Sequence, residues 1–234
     1  MSSQLTAYHA GPRSASVQRL VFFDLDNTLV DRQAAFAAWV TEFAEERGLG
    51  HEAVPWLKAA DGQGHGPRDQ FFRAVREHFG LAEPAEELWA GFRARMPELV
   101  RCDPEVLEGL SQLRASGWRV GIVSNGMADN QLAKIERSGV GERVDACCVS
   151  GEVGIRKPDV RIFELAAERC GTNLAAGGWM IGDSPEHDVA GGRAAGLRTM
   201  WIGRQQAWPT GEPHADRTVP DALAAISLLL DASR

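Results

Sequence analysis

Five short apolar runs, each ending in or beside polar residues, constrain this chain more than any other feature. Leu20-Val21-Phe22-Phe23 runs straight into Asp24, and Arg119-Val120-Gly121-Ile122-Val123 runs into Ser124. Ala146-Cys147-Cys148-Val149, Trp179-Met180-Ile181 and Thr199-Met200-Trp201-Ile202 complete the set. A strand buried on both faces reads as a continuous apolar run rather than an alternating one. Helical patterns separate the runs. Asp103 is a natural N-cap with Pro104 in the first turn, and Val106, Leu107, Leu110 and Leu113 share one face. Asp159 opens a second helix with Ile162, Phe163 and Ala166 inward, and Ser184-Pro185-Glu186 opens a third. Residues 223–230 read as a packing helix. This alternation predicts an α/β fold, a doubly wound, Rossmann-like parallel sheet with helices on both faces. In such a sheet ligands bind at the carboxyl ends of the strands.

Residues 31 to 101 break the alternation and read as helices only. Phe36, Trp39, Val40, Phe43 and Ala44 follow the spacing of one helix face. Phe71, Val75 and Phe79 form a second stripe, and Leu88, Phe92 and Met96 a third. The expected organisation is an α/β core of residues 18–30 and 102–234, with an inserted helical cap over 31–101. The cap is expected to have its own small core and to hinge near Asp31 and Arg101. Residues 1–17 read as a flexible tail. Between the first two stripes lies the glycine-rich loop Asp61-Gly62-Gln63-Gly64-His65-Gly66-Pro67. Gln63, His65 and Arg68 are the cap residues expected to touch a substrate there.

The chain has 234 residues, 44% of them hydrophobic, enough for a real core. Its net charge of -7 argues against a nucleic-acid partner, because phosphate-backbone binding wants a basic face. A small anion needs only one local lysine or arginine. The four cysteines have no C-x-x-C spacing, which speaks against zinc and for reduced, buried thiols in a cytoplasmic protein. Neither a signal-peptide-like stretch nor a membrane span is expected.

Four polar clusters punctuate the strands: Asp24-Leu25-Asp26-Asn27-Thr28, Ser124-Asn125-Gly126, Lys157-Pro158-Asp159, and Gly182-Asp183-Ser184-Pro185-Glu186-His187-Asp188. Alone, each has an ordinary reading. Asp24 and Asp26 can be solvated acids of a turn, Ser124 a turn hydroxyl, Lys157 a surface lysine, Asp183 a helix cap and Asp188 an exposed acid. Together they supply a carboxylate nucleophile, a second carboxylate two residues on, a hydroxyl, a lysine and further acids. That set suits transfer of a phosphoryl group from an alcohol oxygen to an aspartate beside a divalent cation. No G-x-S-x-G occurs, so no histidine is given a catalytic role, and His187 reads as a helix-surface residue. The glycines at 62–66 are not a phosphate loop, since the lysine and hydroxyl of that motif are missing.

With these residues in family order, the chain resembles the haloacid dehalogenase (HAD) superfamily over about residues 18–230. The insertion resembles that family's small helical cap, as in its phosphoglycolate phosphatase-like and nucleotidase-like branch. The resemblance implies Asp24 as the nucleophile that becomes an aspartyl-phosphate. It implies Asp26 as the acid that protonates the leaving alcohol and then the base that activates water. Ser124 and the backbone of Asn125 and Gly126 would hold the phosphate, and Lys157 would neutralise charge between it and Asp24. Asp24, the backbone carbonyl of Asp26, and Asp183 would hold Mg²⁺. Asp188 would support the metal or Lys157 from one layer further out.

Asp26 separates the branches. Dehalogenases of this pattern lack the second acid, because a halide leaves without a proton, whereas an alkoxide needs one. A phosphatase acting on a small-molecule phosphate ester is therefore the expectation. A haloacid dehalogenase or a phosphomutase of the same superfamily is the alternative. A receiver-like signalling module, the alternative from another class, places its acceptor after the third strand and is about half this length. The core motifs serve any phosphomonoester, and the cap selects among them.

Overall fold

The computed structural model describes residues 19–62, 66–204, 208, 211 and 214–232. Among them six strands form one sheet: β1 (Arg19–Phe23), β2 (Trp118–Ser124), β3 (Ala146–Val149), β4 (Trp179–Gly182), β5 (Arg198–Ile202) and β6 (Arg217–Val219). Their order is β3-β2-β1-β4-β5-β6, and every pairing is parallel. The fold is the doubly wound sheet that the apolar runs predict. β6 went unrecognised in the sequence because it has three residues, two of them exposed.

Consecutive side chains of a strand face opposite ways, and the core divides accordingly. Val21 and Phe23 of β1 join Val120 and Ile122 of β2 and Ile181 of β4 in one apolar layer. This layer packs on α5 (Pro104–Ala115), α6 (Ala128–Arg137) and the helix Ala222–Asp231 through Leu110, Ile135 and Ile226. Leu20 and Phe22 join Met180 and Val123 in the other layer, against Ile162, Phe163 and Ala166 of α8 (Val160–Arg169). The caps read from sequence are formed: Asp103 accepts from Glu105 N at 2.8 Å, and Asp159 from Arg161 N at 3.0 Å.

The inserted segment holds α1 (Arg32–Glu46), α2 (Ala53–Asp61), α3 (Arg68–Phe79) and α4 (Ala85–Leu99). Their aromatic stripes meet, with ring centroids 4.9 Å apart for Trp39 and Phe92 and 6.1 Å for Phe36 and Phe71. This apolar cluster does not stand alone. It is continuous with the layer on the sheet, because Leu25, Leu29 and Val30 after β1 and Val100 after α4 are buried members of both. The two ends of the segment also touch: Asp31 N donates to Arg101 O at 3.2 Å. α4 lies along α6, where Arg93 pairs with Asp129 and Asn130 Nδ2 donates to Arg93 O at 2.8 Å. The expected tail of residues 1–17 lies outside the described residues.

β1 sits between β2 and β4, where the strand order reverses. The carboxyl ends of these three strands bring Asp24, Ser124 and Asp183 together at the crevice where such sheets bind ligands.

Candidate active site

Asp24 follows the last residue of β1, and its amide donates to Ile181 O at 2.8 Å. That bond extends the β1–β4 ladder by one residue and fixes the carboxylate against the sheet. The chain then turns tightly. Leu25 O accepts from the amides of Leu29 and Val30, both at 3.0 Å, and Asn27 N donates to Val30 O at 2.9 Å. Asn27 adopts φ 59, a left-handed conformation that asparagine tolerates better than most side chains. Leu25 is buried, so the alternation of an extended chain leaves Asp24 and Asp26 on the cleft side.

Lys157 lies beyond β3 and the short helix α7 (Ser150–Val153) rather than at a strand end. The Asn125 side chain holds its backbone by two bonds, Nδ2 to Lys157 O at 3.0 Å and Lys157 N to Oδ1 at 2.9 Å. Lys157 Nζ is thereby aimed at Asp24 Oδ1 and Asp188 Oδ1, 2.6 Å from each. Asp188 is 1% exposed and so is not the solvated acid of its ordinary reading. Its other oxygen, Oδ2, accepts from Ser184 N at 3.0 Å. Gly182 makes room for this carboxylate, with which a Cβ there would collide. Ser184 caps the π-helical turn Pro185–Ala190, its Oγ accepting from His187 N at 3.1 Å. Asp183 is thus not needed as the cap. Its backbone oxygen accepts from Trp201 Nε1 at 2.8 Å. His187 is half-buried beside the cleft rather than on the helix surface, and burial lowers its pKa.

Asp24, Asp183 and Asp188 each present a carboxylate oxygen within 4.8 Å of the others. Burial pushes the Asp24 carboxyl well above the usual range. Lys157 opposes this, and Asp188 and Asp183 add to it. Burial disfavours the Lys157 ammonium, but Asp188 and Asp24 outweigh it and raise its pKa. Asp24 and Asp188 share one lysine with the Asp183 carboxylate close by, and an all-oxygen set of this kind fits a hard divalent cation. Asp188 belongs to this set by position. The Asp26 carboxylate does not: it turns to α6, where Lys134 Nζ lies 2.8 Å from both its oxygens. Burial raises its pKa, but Lys134 and Arg32 outweigh this and lower it below the ordinary carboxylate value.

Ser124 is buried, its Oγ accepting from Gln131 Nε2 at 2.8 Å. The Gly126 amide, expected to face a phosphate, instead donates to Ser150 Oγ at 2.9 Å. All of these groups line one cleft of about 660 Å³, which the inserted helices close from the other side with Arg32, Arg68, Trp89, Phe92 and Arg93. Arg68 thus shares a cleft with Asp24, while Gln63 and His65 lie outside the described residues. Arg68 donates to Asp61 Oδ1 at 2.6 Å, and the same buried carboxylate takes two bonds from Arg32, at 2.9 and 3.0 Å.

Gln131, Lys134, Arg32 and Asp61 are site-lining or site-supporting residues that the sequence reading passed over. The one available signal was a glutamine and a lysine three apart on the helix that begins just after Ser124-Asn125-Gly126.

Comparison with known proteins agrees with this geometry. The sequence is 33% identical to the phosphoserine phosphatase of Thermus thermophilus over 187 residues, 74% of this chain and 70% of that one. It is 30% identical to the pyrimidine 5'-nucleotidase YjjG of Escherichia coli over 193 residues, 78% of this chain and 84% of the relative. The crystal structure of the HAD-hydrolase YfnB from Bacillus subtilis, bound to magnesium, shares the fold with a TM-score of 0.78 at 24% identity, covering 92% of this chain and 99% of that one. The family pattern of haloacid dehalogenase-like hydrolases matches residues 18–196, and with the sheet and acidic cluster in place the chain belongs to that family of hydrolases.

Proposed function

We propose that this hydrolase cleaves small-molecule phosphomonoesters through an aspartyl-phosphate on Asp24, with Mg²⁺ as its cation. One observation carries the proposal: a buried Asp24 gripped by Lys157 at 2.6 Å, beside two further carboxylates and in one cleft with Asp26. Asp24, Asp183 and the backbone carbonyl of Asp26 would hold the cation, with Asp188 close enough to join or orient them. When bound, Mg²⁺ would offset charge on the phosphoryl oxygens and align them.

Asp24 Oδ attacks phosphorus as the ester P–O bond breaks, and Asp26, which must be protonated in the substrate complex although Lys134 and Arg32 favour its ionised form in the free protein, gives that proton to the departing alcohol oxygen. Water then attacks the aspartyl-phosphate. Asp26 takes the water's proton, the Asp24–phosphorus bond breaks, and inorganic phosphate leaves. Lys157 balances charge on the nucleophile and on the phosphoryl oxygens. Ser124, with the backbone of Asn125, holds those oxygens; Gly126 serves by giving the loop its room. A carbon–halogen substrate would leave Asp26 without a role, which is the reason to prefer an ester.

The segment 31–101 acts in this scheme as a cap over a core of residues 18–30 and 102–234, excluding water and selecting the ester's organic part. Among the described residues no helix is long and apolar enough to cross a membrane, and the four cysteines are free thiols. A reducing cytoplasm suits them. Phosphate release from an aryl phosphate, with Mg²⁺ and then with excess EDTA, tests the function. Turnover that persists undiminished in EDTA rules the proposal out.

A further inference from the structure

Two polar side chains of α6 are buried where a surface helix would carry solvated ones. Gln131 is 2% exposed and Lys134 3%. They stand three residues apart, so both project from one helix face, and that face meets the turn after β1. Lys134 reaches both oxygens of Asp26 at 2.8 Å. Gln131 Nε2 donates to Asp26 Oδ2 at 3.0 Å and to Ser124 Oγ at 2.8 Å. A Cβ on Gly126 would stand 2.7 Å from Gln131 Cγ, so the glycine is what admits this side chain.

A buried ion pair is a weak source of stability compared with apolar packing of the same volume. Its return is geometric. Donors on both carboxylate oxygens leave Asp26 one orientation, and the donor on Ser124 Oγ occupies one of its lone pairs. The serine hydrogen is then left to point at an anion in the cleft. We infer that Lys134 and Gln131 are positioning residues for the leaving-group chemistry: Lys134 fixes the Asp26 carboxylate, and Gln131 ties it to the phosphate-binding hydroxyl of Ser124. The inference rests on the phosphatase function proposed above and deepens it. Neither residue touches the reacting atoms; both act through Asp26 and Ser124.

The test compares kcat and KM for two esters, p-nitrophenyl phosphate and the alkyl phosphate that the parent protein turns over fastest. The variants are Lys134→Met, Lys134→Arg, Gln131→Met, Asp26→Asn and the double Lys134→Met/Asp26→Asn. Lys134→Met should lower kcat on the alkyl ester by about 30-fold and on the aryl ester by less than about 3-fold, with KM nearly unmoved. Lys134→Arg should recover activity to within about 5-fold of the parent. In the Asp26→Asn background, Lys134→Met should add less than about 2-fold, because its effect runs through a group already disabled. Should Lys134→Met not fold, Gln131→Met and Lys134→Arg carry the test, and Gln131→Met must still cost the alkyl ester more than the aryl one. Equal losses on both esters, or a full further loss in the Asp26→Asn background, overturn the positioning roles while leaving the phosphatase standing. A parent protein that releases no phosphate from either ester overturns both.

Discussion

Lys157 Nζ donates to Asp24 Oδ1 across 2.6 Å, at a place where the lysine is 2% exposed. Asp188 takes the same ammonium, and Asp183 brings a third carboxylate oxygen within 4.8 Å of theirs. A divalent cation that binds the folded chain there stabilises it by mass action, about 2.7 kcal/mol at a hundredfold excess over Kd. Adding Mg²⁺ to metal-free protein should therefore raise Tm by several degrees, and Asp183→Asn should abolish the rise. An unchanged Tm at millimolar Mg²⁺ contradicts the assignment of these carboxylates to a cation.

Asp24→Asn should fold and fail to turn over. The amide keeps the size of the carboxylate, and Lys157 retains Asp188 as a partner. As a nucleophile the amide is far weaker, so kcat should fall at least about 10⁴-fold. Circular dichroism and steady-state phosphate release measure the two halves. Activity near that of the parent would sink the covalent route.

Asp26→Asn should spare esters with good leaving groups. An aryloxide departs without help, whereas an alkoxide needs the proton, so the alkyl ester should lose on the order of 10²-fold or more in kcat and the aryl ester much less. The ratio of the two losses is the measurement, and a ratio near unity speaks against proton donation.

Asp61 holds the inserted helices together from inside. Burial raises its pKa, but Arg32, by hydrogen bond and charge, and then Arg68 outweigh this and lower it. A carboxyl whose folded pKa lies below its unfolded value adds stability that is present above the unfolded pKa of about 4. That stability is lost as pH falls through the folded value. Asp61→Asn, which leaves two guanidiniums without their carboxylate, should cost about 3 kcal/mol near neutrality. The Tm gap between parent and variant should hold steady from pH 8 to 5 and close below about pH 4. A gap that widens on acidification would reverse the assigned sign.

Arg68 faces the same cleft as Asp24 from the side of the inserted helices. Arg68→Gln, alone or with Gln63→Ala and His65→Ala, should reorder the preference among phosphate esters while changing kcat/KM for p-nitrophenyl phosphate by less than about 3-fold. An identical ranking of esters in the triple variant removes these positions from selection.

The strands were legible because burial on both faces erases alternation, leaving apolar runs such as Leu20-Val21-Phe22-Phe23. The helix starts were legible because Asp103 and Asp159 solve a local problem, the unpaired amides of a first turn. What stayed hidden depends on which face of an element docks. Gln131 and Lys134 lie more than a hundred residues from Asp26, and only the packing of α6 turns them inward. The same limit applied to Asp188, whose burial is set by Lys157 and by the missing side chain at Gly182. The partner of the Gly126 amide was equally hidden, because Ser150 enters from a separate helix.

The backbone bond between Asp31 and Arg101 has a consequence for how such a chain can change over time. Along the backbone, the inserted segment joins the strand ends carrying Asp24 and Ser124 at two neighbouring points, and its other contacts with them are made by side chains, through the shared apolar layer and α4 on α6. Material there can be lengthened, shortened or traded for another stretch without re-registering β1 against β2. New chemistry of admission can thus be tried on an old reaction centre, one spliced segment at a time.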